Sequence, residues 1–232
     1  RAYNLDHLTN PFTEEEIDGI VKEMPPDRAP SPDGFSGAFL KACRPIIKHD
    51  FYALCSQFHQ GTMDITSIND GLITLIPKVN SPESVNDYRP ITLLNCCLKL
   101  ITKLLANRLQ RVILQLVHRN QYGFLKGRTI QDYLAWAYQY IHLCHTSGKK
   151  IVLLKLDFAK AFDTIAHEPM INIMRHMGFN DQWIAWINCL FSSSRSSVLL
   201  NGVSGRQFLC KCGVRQGDPL SPLIFVLAAE LL

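Results

Sequence analysis

The chain has 232 residues, 47% hydrophobic and 19% charged, which is enough for a sizeable core and too apolar for a disordered tail. No apolar run approaches a membrane span, and a net charge of +4 is compatible with a nucleic-acid partner without requiring one. The eight cysteines are scattered through apolar patterns, which fits buried thiols in a reduced intracellular chain rather than a disulfide framework.

Thr13-Glu14-Glu15-Glu16 ahead of Ile17, Ile20 and Val21 predicts a capping box and a short helix, ended by Pro25-Pro26. A turn-forming loop follows from Asp27 to Phe35, where prolines fix φ and Gly34 permits an unusual backbone angle. A helical region then runs from about Ser36 to Gln60, with a break expected near Pro45. Leu72 to Ile76 reads as a short strand closed by Pro77-Lys78, and a polar loop leads on to Arg89-Pro90-Ile91. If the two arms fold back as a hairpin, Lys78 and Arg89 come to one side, where a point charge and a fork can share phosphate oxygens. As surface residues the same two would be ordinary solvated cations.

Leu93 to Val117 gives the longest helical pattern, with Leu94, Leu98, Ile101, Leu105, Leu109, Val112 and Leu116 on one face. Lys99, Lys103, Asn107, Arg108 and Arg111 fall on other faces, as a solvated face or a track for a nucleic-acid backbone. Gln121 to Arg128 interleaves two glycines, two aromatics and two cations in eight residues. Phe124 suits base stacking there, while Lys126 and Arg128 suit phosphate. Thr129 then caps an amphipathic helix that runs to about His145.

Ile151 to Leu156 is an almost unbroken apolar run, predicted as a strand buried on both faces. Asp157 closes it, and Asp163 follows after a short Ala-Phe segment. A carboxylate at a strand end can hold a divalent cation beside phosphate or can cap the next helix. Helices are predicted from His167 to Met177 and from Asp181 to Ser194, with Gly178 as the stop between them. Asn201-Gly202 between apolar runs predicts a two-residue hairpin whose second strand extends to about Cys212. Gln216-Gly217 sits in a tight loop, and Pro222 opens the last helix. Neither Cys210-x-Cys212 nor His142-x-x-His145 has a second pair at zinc-site spacing.

The order of these pieces resembles reverse transcriptases, in particular those of non-LTR (long interspersed element type) retrotransposons. The resemblance is carried by Asp33-Gly34-Phe35, Leu75-Ile76-Pro77-Lys78, Asp87-Tyr88-Arg89-Pro90 and Leu105-Ala106-Asn107-Arg108-Leu109. It continues through Gln121-x-Gly123-Phe124-x-x-Gly127-Arg128, Leu156-Asp157-Phe158-x-Lys160-Ala161-Phe162-Asp163 and Val214-Arg215-Gln216-Gly217-Asp218-Pro219. It implies an α+β right-hand polymerase. Residues 1–150 would be helix-rich fingers, and 151–232 would be an incomplete palm with an antiparallel sheet packed on helices.

The implied chemistry is RNA-templated transfer of a nucleotide from a dNTP to a DNA primer 3′-hydroxyl, with two Mg2+ ions. By the same resemblance Asp157 and the Phe158 backbone carbonyl are metal ligands. Lys78, Arg89, Ala161, Phe162, Gln216 and Gly217 are nucleotide-binding, with Phe162 excluding a 2′-hydroxyl. Gly123, Phe124, Lys126 and Arg128 are nucleic-acid-binding. Asp163 is a structural acid that orients Lys160 or caps the following helix.

Ser31 stands where the family often has Gly. The family's later Asp-Asp hairpin does not occur in the sequence, so the chain is expected to be an inactive fragment of a longer intracellular protein, nuclear or cytoplasmic. A non-catalytic retroelement remnant that binds nucleic acid, and a group II intron maturase, remain as alternatives. The coding sequence after Leu232 discriminates among all three.

Overall fold

A computed structural model describes residues 4–27 and 30–230; the Arg28-Ala29 part of the predicted turn lies outside the described residues. Helix α1 (Glu14–Glu23) opens on the expected capping box, in which Thr13 Oγ1 accepts from the Glu16 N–H and Glu16 accepts from the Thr13 N–H. The next helical stretch divides at Cys43 into α2 (Gly37–Ala42) and α3 (Arg44–Gln60), and Pro45 sits in the first turn of α3, where its missing N–H costs nothing.

Strands β1 (Asp70–Pro77) and β2 (Tyr88–Leu94) form an antiparallel hairpin, paired from Gly71↔Leu94 to Pro77↔Tyr88. Helix α4 (Cys96–Leu116) starts three residues later than the apolar pattern predicts, because Leu93 and Leu94 are held in the ladder of β2. The Asn95 side chain then caps the helix at the Cys97 N–H. Helix α5 (Ile130–Thr146) is capped by Thr129 as predicted. Helices α6 (His167–His176) and α7 (Asp181–Ser192) follow, with Gly178 between them at φ 89°.

Strand β3 (Arg195–Leu200) turns at Asn201-Gly202, both at positive φ, into β4 (Val203–Ser204). The second arm is not continuous to Cys212. It breaks after Gly205 and resumes as β5 (Phe208–Leu209), which pairs with the start of β3. Helix α8 (Ser221–Ala229) takes Pro222 in its first turn.

The sheet order is β2-β1-β3-β4, with β5 also on β3. The sheet is mixed rather than antiparallel, because β1 and β3 run parallel from Asp70↔Arg195 to Ile73↔Val198. The expected central strand is not in it. Residues 151–156 have no ladder partner among the described residues, and Val152 is 96% and Leu153 76% exposed. The run lacks a partner strand: β1 is already flanked by β2 and β3, and the outer side of β2 is met at Thr92 by Gln216.

The main core joins α4, α6, α7 and α8, and it draws Leu5, Leu8 and Phe58 from the N-terminal part. Trp183, Met170, Leu105 and Ile113 are fully buried in it. A second cluster packs Ile17, Ile20, Leu40, Phe51 and Cys55 on the opposite flank of α4. Arg108 overturns the reading of a basic, solvated face on that helix, being only 5% exposed. Its guanidinium donates to the Glu16 carboxylate and to the carbonyls of Leu8, Asn10 and Pro11, and it lies 4.3 Å from the Phe12 ring centroid. The charge is buried because five partners meet it. Burial alone would raise the Glu16 carboxyl, but Arg108 outweighs that and holds it below the usual carboxylate range.

Candidate functional site

Two loops are docked on one another and on β2. The turn after Lys160 lies against the strand-like segment 212–214: the Val214 N–H donates to Phe162 O at 2.8 Å and the Gly213 N–H to Ile165 O at 2.7 Å. A Cβ on Gly213, at φ 79°, would stand 2.7 Å from the Asp163 carbonyl oxygen, so only glycine permits this approach. His167 Nε2 donates to Gly213 O at 2.8 Å, and its ring stacks on Phe191.

Three residues on, the chain meets the sheet. The Thr92 N–H donates to Gln216 O at 2.7 Å. A Cβ on Gly217, at φ 114°, would lie 2.6 Å from Thr92 O. Gln216-Gly217 is therefore clamped to the edge of β2, and the close backbone approach read from the sequence is present.

The clamp is fixed from both ends. Arg215 donates to both the backbone and the side-chain oxygen of Asn69. Asn69 is fully buried and donates in turn to Leu190 O at 2.8 Å and Ser193 Oγ at 2.7 Å. Burial pulls the Arg215 guanidinium below its ordinary range, and Asp218 opposes that pull. On the far side Asp218 accepts from the Leu220 N–H and the Ser221 hydroxyl, which holds the start of α8. Asn69 had no signal in the sequence; its role comes from a contact across more than a hundred residues.

The predicted site residues fall into three groups. Phe162, Asp163, Gln216 and Gly217 are brought together with β2, and a cavity of about 330 Å3 runs beside Pro90, Thr92, Asp163 and Gln216. Ala161 lies in the same turn as Phe162. Lys78 and Arg89 stand at one end of the β1–β2 hairpin, where Arg89 pairs with Ile76 and is exposed. Lys78 Nζ donates to Asn86 O at 2.7 Å and so folds over its own loop.

The second group is the 121–128 segment. Arg128 donates to His118 O and Gln121 O, and the Gly123 N–H donates to Gln121 Oε1. Its guanidinium is thus engaged in closing the loop, while Lys126 is exposed. Phe124, at φ 60°, presents its ring edge-on to Phe162 at 6.0 Å and to Phe225 at 6.4 Å. Phe162 and Phe225 stack at 4.7 Å with 13° between their planes. The sequence offered Phe225 only as one apolar residue of a helix.

The third group does not converge. Asp157 and Phe158 lie in the exposed stretch that continues from 151–156. Lys160, at φ 52°, turns the chain, and its carbonyl accepts from the Asp163 N–H at 2.8 Å. Asp163 does not cap α6, whose cap position is Ala166. Among the described residues no group of three or more His, Cys, Asp or Glu is arranged to hold a metal ion. One carboxylate at Asp157 does not by itself make a site for two Mg2+. Among the described residues no helix is long and apolar enough to cross a membrane.

Residues 76–232 match the family model described as reverse transcriptase (RNA-dependent DNA polymerase). The chain is 27% identical over 97% of its length to the "Transposon TX1 uncharacterized 149 kDa protein" of Xenopus laevis, covering 17% of that protein. It is 27% identical over 94% of its length to the "Retrovirus-related Pol polyprotein from type-1 retrotransposable element R2" of Popillia japonica, covering 30% of that protein. It is 26% identical over 95% of its length to the "Probable RNA-directed DNA polymerase from transposon BS" of Drosophila melanogaster, covering 25% of that protein. The chain thus spans less than a third of these relatives.

Proposed function

The chain belongs to the reverse transcriptase family, and from that premise we propose that it forms the nucleotide-selecting wall of a non-LTR retrotransposon polymerase. The substrates are an RNA template, a DNA primer and dNTPs, and the setting is the nucleus or cytoplasm. Residues 1–150 act as fingers and 151–232 as part of a palm. The observation that carries this reading is the double docking: Phe162 tied to Val214, and Gln216-Gly217 tied to Thr92, place three family motifs on one surface.

Each residue has a role set by its chemistry. Phe162 offers a flat apolar surface against the sugar. Gln216 donates or accepts at the base and sugar, and Gly217 leaves room for backbone approach. Arg89, exposed at the hairpin tip, takes triphosphate oxygens in its fork, and Lys78 joins it after leaving Asn86 O. The family generally uses divalent metals; Asp157 and the Phe158 carbonyl would be the groups of this chain that help to hold Mg2+, which would supply charge stabilisation at the reacting phosphate. Lys126 holds the template or primer backbone beside Gly123.

Primer extension on an RNA template, by a protein that contains this chain, tests the reading. Asp157→Asn is expected to abolish extension while RNA binding persists. Arg89→Ala is expected to raise the apparent KM for dNTP. Retained extension in the first variant, or a pure template-affinity defect in the second, contradicts the assignments.

A further inference from the structure

Phe162 is not a lone ring. Phe225, half-buried on α8, lies nearly parallel to it at 4.7 Å, a separation at which stacked rings attract beyond their burial. Phe124 closes on both rings edge-on. Its own backbone is held at φ 60°, a conformation that is strained for a non-glycine residue and persists only where surroundings enforce it. The enforcement is visible. Leu125 is buried, Arg128 ties down the carbonyls of His118 and Gln121, and the His118 N–H donates to Glu230 just past α8. The loop that carries Phe124 is thus latched to the helix that carries Phe225.

The chemistry of sugar selection needs such bracing. An apolar pocket rejects an added hydroxyl by only about 100-fold. A ring that excludes a 2′-hydroxyl by contact must be held to within about 0.5 Å. The Phe162 backbone is fixed at Val214, but that bond leaves its side-chain torsions free.

We propose that Phe225 and Phe124 are positioning residues that hold the Phe162 ring as a rigid gate, and so set discrimination between deoxyribonucleotides and ribonucleotides. This rests on the polymerase reading above. It assigns Phe124, on the interleaved aromatic-basic loop, to sugar selection rather than to stacking on a base.

The test is the ratio of kcat/KM for dNTP and rNTP, measured by primer extension with a protein containing the chain. Phe225→Leu is expected to lower the ratio about tenfold by raising use of rNTP, with a smaller drop for Phe124→Leu and recovery in Phe225→Tyr. If the unsubstituted protein does not extend primers, the polymerase reading fails and the gate falls with it. If it extends but Phe225→Leu slows both nucleotides equally, the bracing role is wrong and the polymerase reading stands. A double-mutant cycle in thermal unfolding of the 232-residue chain checks the contact itself. Phe162→Leu and Phe225→Leu are expected to be non-additive, and strict additivity would overturn the brace.

Discussion

Arg108 and the run from Ile151 to Leu156 are opposite cases. A cation on a helix reads as surface, and it is among the most buried polar residues of the described structure. An apolar β-rich run reads as core, and its side chains stand in solvent. The difference lies in partners. Four acceptor groups and a ring converge on the guanidinium, whereas no strand pairs with residues 151–156 among the described residues. Burial here follows from what the rest of the chain supplies, not from the polarity of the residue alone.

The contrast is sharpened first by removing the cation. Arg108→Ala removes the closer of the two cations on Glu16, leaving Arg111 at 3.7 Å, and takes the donor from three carbonyls. It is expected to cost about 3 kcal/mol, read as a lower urea midpoint, and a change near zero would break the comparison. Next comes Gly217→Ala, whose Cβ meets Thr92 O at 2.6 Å in a backbone conformation that disfavours side chains. A loss of about 2 kcal/mol is expected, with Gly34→Ala as the control at a positive φ in open space.

Acid gives a smaller, graded effect. Glu16 titrates below the ordinary glutamate value of 4.5 in the folded state, so its contribution is complete above that value and is lost as pH falls through the folded pKa. Stability measured from pH 7 down to pH 3 is expected to fall less steeply in Glu16→Gln than in the parent chain. Equal slopes would remove Glu16 from the acid response. At the small end, Val152→Lys is expected to shift stability by no more than about 0.5 kcal/mol, since the side chain is 96% exposed. A large loss would place the run in the core after all.

Local chemistry was legible in the sequence. Thr13 and Glu16 announced their capping box, Asn201-Gly202 its turn and Pro222 its helix start, because each acts within a few residues. The Gly217 approach was also readable, since glycine in a tight loop has few other uses. What the sequence withheld depends on distant partners. The parallel pairing of β1 with β3 joins residues more than a hundred positions apart, and so does the Asn69 anchor beneath Arg215. Phe225 has the same apolar signature as its helical neighbours, and only the fold stacks it on Phe162. Motif order identified the family, whereas the arrangement of the wall required the contacts.

The central claim is that Phe162, fixed at Val214 beside Gln216 and Gly217, faces the sugar of an incoming nucleotide. It is tested most directly by primer extension with a protein containing the chain, comparing dNTP and rNTP for Phe162→Ala. Ribonucleotide use relative to deoxyribonucleotide is expected to rise by ~100-fold. Unchanged sugar selectivity in an active enzyme would contradict the account.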